Sequence, residues 1–175
     1  CGGGRFEPLG APVERILQEV RRFLGAEAAG EAGSDAAVVV GTERDLPGLG
    51  PIDLAVIVDA DGLLRAPHYR AVEDGFRLMA RVVAAAGRSR GRRAMVQTAD
   101  ASHPALVALR RGTPEALIRT EIASRAPLGF PPHGELIVLE VADPPAAGDA
   151  ALRAAVGARA AVLGPAERRG RSRWL

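Results

Sequence analysis

Lysine is absent from this chain of 175 residues, and all 23 of its basic Lys/Arg positions are arginine. A phosphate-binding P-loop of the Walker A type needs a lysine that reaches the terminal phosphates of the nucleotide. The chain therefore cannot carry such a P-loop, and any nucleotide-driven activity would need residues from elsewhere.

Cysteine and aromatic residues are also scarce. The single cysteine, Cys1, excludes an internal disulfide, and aromatic residues make up only 3% of the sequence. The sequence contains no signal-peptide pattern and no apolar run of membrane-spanning length. These absences predict a cytoplasmic protein whose core depends on valine, leucine and isoleucine. The first residue is not methionine, which predicts a fragment of a longer protein.

Arginine is clustered, although the net charge is only +2. Two runs contain arginines and no acidic residue. Their members are Arg81, Arg88, Arg90, Arg92 and Arg93 in the first run, and Arg168, Arg169, Arg171 and Arg173 in the second. Such clusters favour phosphate or nucleic acid as a partner. The alternative is a solvated helix end and a solvated terminal segment.

The first third of the chain predicts one helix and two strands. Residues 12–24 have apolar side chains at helical spacing. Residues 25–35 have no periodicity and predict a mobile connection. The apolar runs at 36–40 and 54–58 do not alternate, which is typical of strands covered on both faces of an α/β sheet.

The middle of the chain predicts further elements of the same α/β layer. Residues 69–86 form the next predicted helix, which Gly87 can end. Its buried stripe consists of Val72, Phe76, Met79 and Val83. A strand at 94–98 follows, and then a helical stretch at 102–125 that is interrupted near Gly112.

Prolines and glycines at 127–134 predict a boundary between domains, since proline neither continues a helix nor joins a central strand. Beyond it, residues 135–141 predict a strand and residues 149–163 predict a helix. The inward side chains of that helix are predicted to be Leu152, Val156, Ala160 and Leu163.

Few residues suggest chemistry. Asp59 and Asp61 follow the second apolar run and could bind a divalent metal, although paired acids of this kind are more often solvated turn residues. The sequence contains no HExxH motif, no CxxC motif and no context for a catalytic triad. Residue chemistry alone therefore indicates no enzyme.

Taken together, the segments resemble the C-terminal half of the primosomal protein N′ (PriA) family of replication-restart helicases. The resemblance covers nearly the whole chain, and the order and spacing of its pieces are more specific than any single piece. The matching stretches include CGGGRFEPLG at 1–10, GTE at 41–43, VDAD at 58–61, QTADASHP at 97–104, LGFPP at 128–132 and GPAERRGRSRW at 164–174.

The resemblance also shows where this chain departs from the family. The family's helicase motif QVAGRAGR falls on residues 81–88, where Arg81 replaces glutamine, Ala84 and Ala85 replace the first Gly-Arg pair, and only Gly87-Arg88 remains. In such helicases, losing an arginine that contacts the γ-phosphate costs on the order of a thousandfold in rate.

Further departures lie at the GTQ and AKG segments of the family. There this chain has Glu43 in place of glutamine and Pro47 in place of lysine. The family's strand within 25–35 also looks shortened. This pattern resembles the reduced actinobacterial forms of the family, and it argues against ATP binding.

The resemblance implies a fold and a domain organisation. Residues 11–126 would form a degenerate RecA-like helicase lobe 2, which is a parallel sheet with flanking helices. A linker at 127–134 and the start of a small α+β C-terminal domain at 135–175 would follow. Residues 1–10 would be the remnant of a zinc-binding region. Cys1 would supply one zinc ligand, but a structural zinc site needs four.

The resemblance also implies site residues. A vestige of the nucleotide cleft would consist of Gly41, Thr42, Gly48, Asp59, Gly87 and Arg88. DNA would be contacted by Arg88, Arg90, Arg92, Arg93, Arg168, Arg169, Arg171 and Arg173. Primosome proteins and single-strand-binding proteins are the further partners that the family implies, and a membrane is not among them.

The resulting hypothesis is a replication-restart protein that binds DNA at stalled forks and lacks helicase activity. Two alternatives stay open. The first is an active ATP-dependent 3′–5′ DNA helicase whose P-loop lies elsewhere in a longer protein. The second is a scaffold that holds primosome partners and contacts DNA only weakly.

Overall fold

A computed structural model gives a mixed α/β fold and describes residues 12–87, 91, 93–143, 145, 147–168 and 171–175. The elements are α1 (Val13–Leu24), β1 (Ala29–Gly30), β2 (Val38–Val39), β3 (Leu54–Ile57), α2 (Ala60–Leu64), α3 (Ala71–Ala86), β4 (Arg93–Val96), α4 (Pro104–Arg111), α5 (Pro114–Arg125), β5 (Leu139–Ala142), α6 (Gly148–Val156), β6 (Ala166–Arg168) and β7 (Arg171–Trp174). The chain divides into two units between Glu121 and Ile122, ahead of the predicted linker.

Helix α1 packs beside the first pair of strands. Leu17 is buried on this helix, and Arg21 Nε donates a 2.9 Å hydrogen bond to the carbonyl oxygen of Ala29. β1 runs parallel to β2, with Ala29 opposite Val38. Residues 26–30 of the predicted connection at 25–35 therefore have regular structure. Small residues there form a 3₁₀ turn and a two-residue strand, because backbone pairing needs no apolar periodicity.

The second strand pair, β3 and β4, is also parallel and belongs to a separate sheet. Ala55 and Ile57 on β3 are buried. Leu54 and Val56, on the opposite face, are 51% and 53% exposed. The prediction that this strand is covered on both faces is therefore wrong. A β-branched run favours a strand, but it does not fix which faces the rest of the chain covers.

Helices α2 to α5 build the core of the first unit with the buried face of β3. The core side chains are Ile57, Ala60, Leu64, Met79, Ala105, Leu106, Ala108 and Leu117. The predicted stripe of α3 is confirmed at Val72, Phe76 and Met79, which lie in or against this core. Val82, rather than Val83, continues the stripe. Val83 lines a shallow groove between α3 and α4.

Two helix boundaries depend on backbone in the left-handed region. The predicted interruption near Gly112 is confirmed, since α4 ends there with a φ of 66°, a conformation that glycine adopts without a steric penalty. Helix α2 was not predicted. It is five residues long, too short for an apolar period to be recognised, and its N-cap residue Asp59 has a φ of 59°. None of the helices in the described residues is long and apolar enough to cross a membrane.

The second unit contains a three-stranded antiparallel sheet in the order β5–β7–β6 and the helix α6. The strand predicted at 135–141 begins only at Leu139. The helix predicted at 149–163 ends at Val156, before Gly157 with a φ of 57°. Glycine thus ends the helix earlier than the apolar spacing suggests.

After α6, residues Gly157–Arg159 form a 3₁₀ turn, and the helix does not resume beyond it. The placement of Ala160 and Leu163 on an inward helical face is therefore wrong, and Leu163 is 62% exposed. Its backbone exchanges two hydrogen bonds with Leu175, of 2.7 and 2.9 Å. Backbone pairing with the end of the chain, rather than side-chain burial, holds this segment.

Candidate nucleic-acid interface

One face of the C-terminal sheet presents arginines. Burial alternates along β7, where Ser172 and Trp174 are buried and Arg171 and Arg173 are exposed. Successive residues of a strand point to opposite sides, so both arginines lie on the same, open face of the sheet. Their side chains are 61% and 44% exposed.

Helix α6 holds the other face of this sheet. Trp174 Nε1 donates a 3.0 Å hydrogen bond to Asp149 Oδ1 on α6. Arg153 Nε donates to both carboxylate oxygens of Asp149, and its Nη1 and Nη2 donate to the carbonyl oxygens of Val162 and Gly164 at 2.9 and 2.7 Å. These donors lower the pKa of the Asp149 carboxyl, the Arg153 hydrogen bond most and the Trp174 hydrogen bond next. The network fixes β7, and with it the direction of its exposed arginines.

The two exposed arginines differ from Arg153 in what they contact. Arg171 Nη1 lies 3.9 Å from Glu140 Oε2, and Arg173 Nε lies 3.7 Å from Glu140 Oε1. These separations are longer than hydrogen bonds, which run from about 2.7 to 3.2 Å. Arg153 is held by Asp149 and by the carbonyl oxygens of Val162 and Gly164. Among the described residues, the guanidinium groups of Arg171 and Arg173 make only loose charge contacts. They are therefore available to an external anion.

Of the other predicted DNA-contacting residues, the structure describes one in each unit. In the backbone register of β6 and β7, Arg168 lies opposite Arg171. Arg93 begins β4 in the first unit, where it is exposed and its N–H donates to the carbonyl of Asp53 at 2.9 Å. Four of the predicted residues lie outside the described residues, as does the predicted zinc ligand Cys1; they are Arg88, Arg90, Arg92 and Arg169.

The described members of the predicted nucleotide cleft lie after β2, after β3 and at the end of α3. Gly41 and Thr42 follow β2, and Gly48 ends the 3₁₀ turn that comes next. Asp59 lies at the carboxyl end of the β3–β4 pair. Gly87 ends α3 and precedes the amino end of β4.

The loop after β2 is acidic and ordered by its own hydrogen bonds. Asp45 Oδ2 accepts from the backbone N–H of Thr42 at 2.7 Å and from its hydroxyl at 3.0 Å. The backbone hydrogen bond, followed by the side-chain one, lowers the pKa of the Asp45 carboxyl. An ionised carboxylate thus occupies the donors of Thr42, which opposes the binding of a nucleotide phosphate there.

Two of the positions at which this chain departs from the family's motifs contact each other. Arg81 Nη1 donates a hydrogen bond to Glu43 Oε1, and the pair links α3 to the 3₁₀ turn at Glu43–Gly48. Both side chains are half-exposed. Sequence reasoning identified each substitution separately and missed the contact, because the two residues are 38 positions apart.

The acids after β3 have roles within the fold. Asp59 Oδ1 accepts from the N–H of Gly62 at 2.9 Å and caps α2. Asp61 accepts from the Thr98 hydroxyl at 3.2 Å and from the Ala99 N–H at 2.8 Å, and so joins the ends of β3 and β4. Within the described residues, no group of three or more His, Cys, Asp or Glu side chains could hold a metal ion.

Comparison with known proteins gives three similar sequences. The chain is 34% identical over 108 residues to the replication restart protein PriA of Synechocystis sp., which is 60% of this chain and 13% of that protein. It is 35% identical over 141 residues to the PriA of Treponema pallidum, with 74% and 21% covered. It is 39% identical over 136 residues to a probable PriA of Deinococcus radiodurans, with 76% and 14% covered.

These matches span about a fifth or less of the length of the relatives. No protein-family profile matches the chain. No solved structure matches it.

Proposed function

We propose that this chain, a segment similar to replication restart protein PriA, binds the phosphate backbone of DNA at stalled replication forks through the open face of its C-terminal sheet. One observation carries the proposal: Arg171 and Arg173 lie exposed on one face and make no short hydrogen bond to Glu140. Guanidinium groups bind phosphate through parallel N–H donors, and each keeps its charge at every relevant pH.

The composition of this face favours backbone contacts over contacts with bases. By strand register, the open face also carries Glu140, Ala142 and Ala166. None of these is aromatic, and stacking on aromatic side chains is how sheet surfaces commonly hold single-stranded bases. Contacts with phosphate position a protein on DNA without reading its sequence. Binding should therefore depend weakly on sequence and strongly on salt.

Replacing both arginines, Arg171→Ala with Arg173→Ala, should weaken binding to a forked DNA and flatten its salt dependence. Each neutralised phosphate contributes about 0.9 to the slope of log affinity against log salt, so the slope should fall by about 1.8. Fluorescence anisotropy titrations at about 50 and about 200 mM salt would measure this.

A matched control removes two positive charges from the first unit instead of from the C-terminal sheet. Arg15 and Arg111 are exposed in the first unit, and the double substitution Arg15→Ala with Arg111→Ala should leave the slope nearly unchanged. The proposal fails if binding by the unsubstituted chain is independent of salt, or if both double variants lose affinity equally.

We also propose that the first unit is a reduced RecA-like helicase lobe 2 that no longer supports ATP-driven strand separation. Its parallel strand pairs and the helices on one face of β3 are consistent with such a lobe. The charge of Arg81 is already neutralised by Glu43, and Asp45 adds a second carboxylate beside Thr42. An arginine that pairs internally is a poor stabiliser of charge on a transferring phosphate.

The natural polypeptide that contains these residues should therefore release no phosphate from ATP above background when forked DNA is added. The paired substitution Glu43→Gln with Arg81→Gln, which returns both positions to the family's residues, is the matched variant. It should remain inactive, because the Gly-Arg pair replaced by Ala84 and Ala85 is still missing. A robust rate of DNA-stimulated phosphate release by the unsubstituted protein would favour the active helicase instead.

The remaining expectations rest on the resemblance to PriA alone. They are a cytoplasmic location and the recruitment of primosome and single-strand-binding proteins. A zinc site is a third expectation. The chain has a single cysteine, which can supply only one of the four ligands of such a site.

A further inference from the structure

The face that carries Arg171 and Arg173 also contains a carboxylate of the protein itself. Glu140 on β5 lies opposite Arg173 in the antiparallel register, and it is 46% exposed. Each of its two oxygens faces one of the arginines, at 3.9 Å from Arg171 Nη1 and 3.7 Å from Arg173 Nε. Glu140 therefore occupies the same place between the guanidinium groups that a bridging phosphate would take.

The geometry distinguishes this contact from a structural ion pair. In the same unit, Arg153 Nε donates to both oxygens of Asp149 at 3.1 and 3.0 Å. Glu140 makes no contact this short with either arginine. Exposed pairs of such length are held weakly and are screened by salt. Glu140 is thus a counter-charge that a stronger anion can displace.

We propose that Glu140 is an internal competitor that limits the affinity of this face for nucleic-acid phosphate, an inference that rests on the proposed function. When a phosphate binds to Arg171 and Arg173, the Glu140 carboxylate loses its partners and lies beside a second negative charge. Like charges at close range repel, and so part of the attraction to the arginines is lost. Binding to DNA is weaker than two free arginines would give, and it is more readily reversed.

The substitution Glu140→Gln tests this directly, because glutamine keeps the shape of the side chain and removes its charge. It should strengthen binding to the forked DNA about fivefold at low salt. The gain should shrink as salt rises, since the repulsion that is removed is screened. Anisotropy titrations at about 50 and about 200 mM salt would report both effects.

Two controls separate a local effect from a general one. Glu135 is an exposed acid outside the strands of the same unit, and Glu135→Gln makes the same change in net charge away from the face. It should change affinity much less than Glu140→Gln does. In a background of Arg171→Ala with Arg173→Ala, Glu140→Gln should have no effect, as a double-mutant cycle requires of coupled residues.

The outcomes distinguish this inference from the proposed function. If the unsubstituted chain binds DNA in a salt-dependent way and Glu140→Gln binds no more tightly, Glu140 is not a competitor, while the proposed function stands. Weaker binding by Glu140→Gln would also overturn the inference, since it would mean that Glu140 orders the arginines for phosphate. If the unsubstituted chain does not bind DNA at all, the proposed function itself is wrong.

Discussion

Met79→Ala is expected to lower the free energy of unfolding by about 2 to 5 kcal/mol. Met79 has no exposed surface and is the largest of the fully buried side chains among the described residues. It lies in the core formed by α2 to α5 and β3. Truncation removes its apolar contacts and leaves a cavity that alanine-rich neighbours such as Ala105 and Ala108 cannot fill by extending. Urea unfolding followed by far-UV circular dichroism would give the change.

A second methionine, on the surface, provides a matched control for the stability lost in Met79→Ala. Met95 on β4 is 57% exposed, and Met95→Ala makes the same chemical change on the open face of β3 and β4. Surface substitutions of this kind are usually within about 0.5 kcal/mol of neutral. Equal losses for the two variants would contradict the placement of the core on one side of this strand pair.

Periodic signals determined which parts of this fold could be predicted from the sequence. Helix α3 was predicted because it is long enough for Val72, Phe76 and Met79 to repeat at helical spacing. Short elements carry no such signal. β1 consists of Ala29 and Gly30, and it exists because its backbone pairs with β2. The exposure of Leu54 and Val56 depends on which elements cover the sheet, and a single strand's sequence does not contain that information.

In the candidate site, too, local sequence patterns could be predicted and long-range contacts could not. The arginine cluster around Arg171 and Arg173 could be found from the sequence, because like charges without neighbouring acids form a local pattern. The position of Glu140 between them could not, since only the antiparallel register of β5 and β7 brings it there. The same holds for Glu43 and Arg81, whose contact joins segments 38 residues apart. Local composition thus identified the arginine cluster, and long-range pairing determined the charge balance around it.

Trp174→Ala is expected to destabilise the second unit by about 3 to 5 kcal/mol. Trp174 is 4% exposed and is the single tryptophan of the chain. Its loss removes the largest apolar side chain of that unit and the indole donor to Asp149. Backbone amides of β5 and β7 should lose protection from hydrogen exchange by roughly two to four orders of magnitude. Trp174→Phe keeps an aromatic ring in place and should cost less, and equal losses for the two variants would contradict the packing role.

The same network gives the second unit a stability that depends on pH. The pKa of Asp149 is lowered from its ordinary value of 3.8 by the hydrogen bonds from Arg153 and then from Trp174. A carboxyl with a lowered pKa in the folded state stabilises that state above the unfolded pKa, and this contribution is lost as the pH falls through the folded pKa. Trp174→Phe removes one of the two donors, so its deficit relative to the unsubstituted chain should be largest near neutral pH and should narrow in acid. A deficit that stays constant from neutral pH down to acid would show that the loss comes from packing alone, and that the indole hydrogen bond contributes nothing to the ionisation of Asp149.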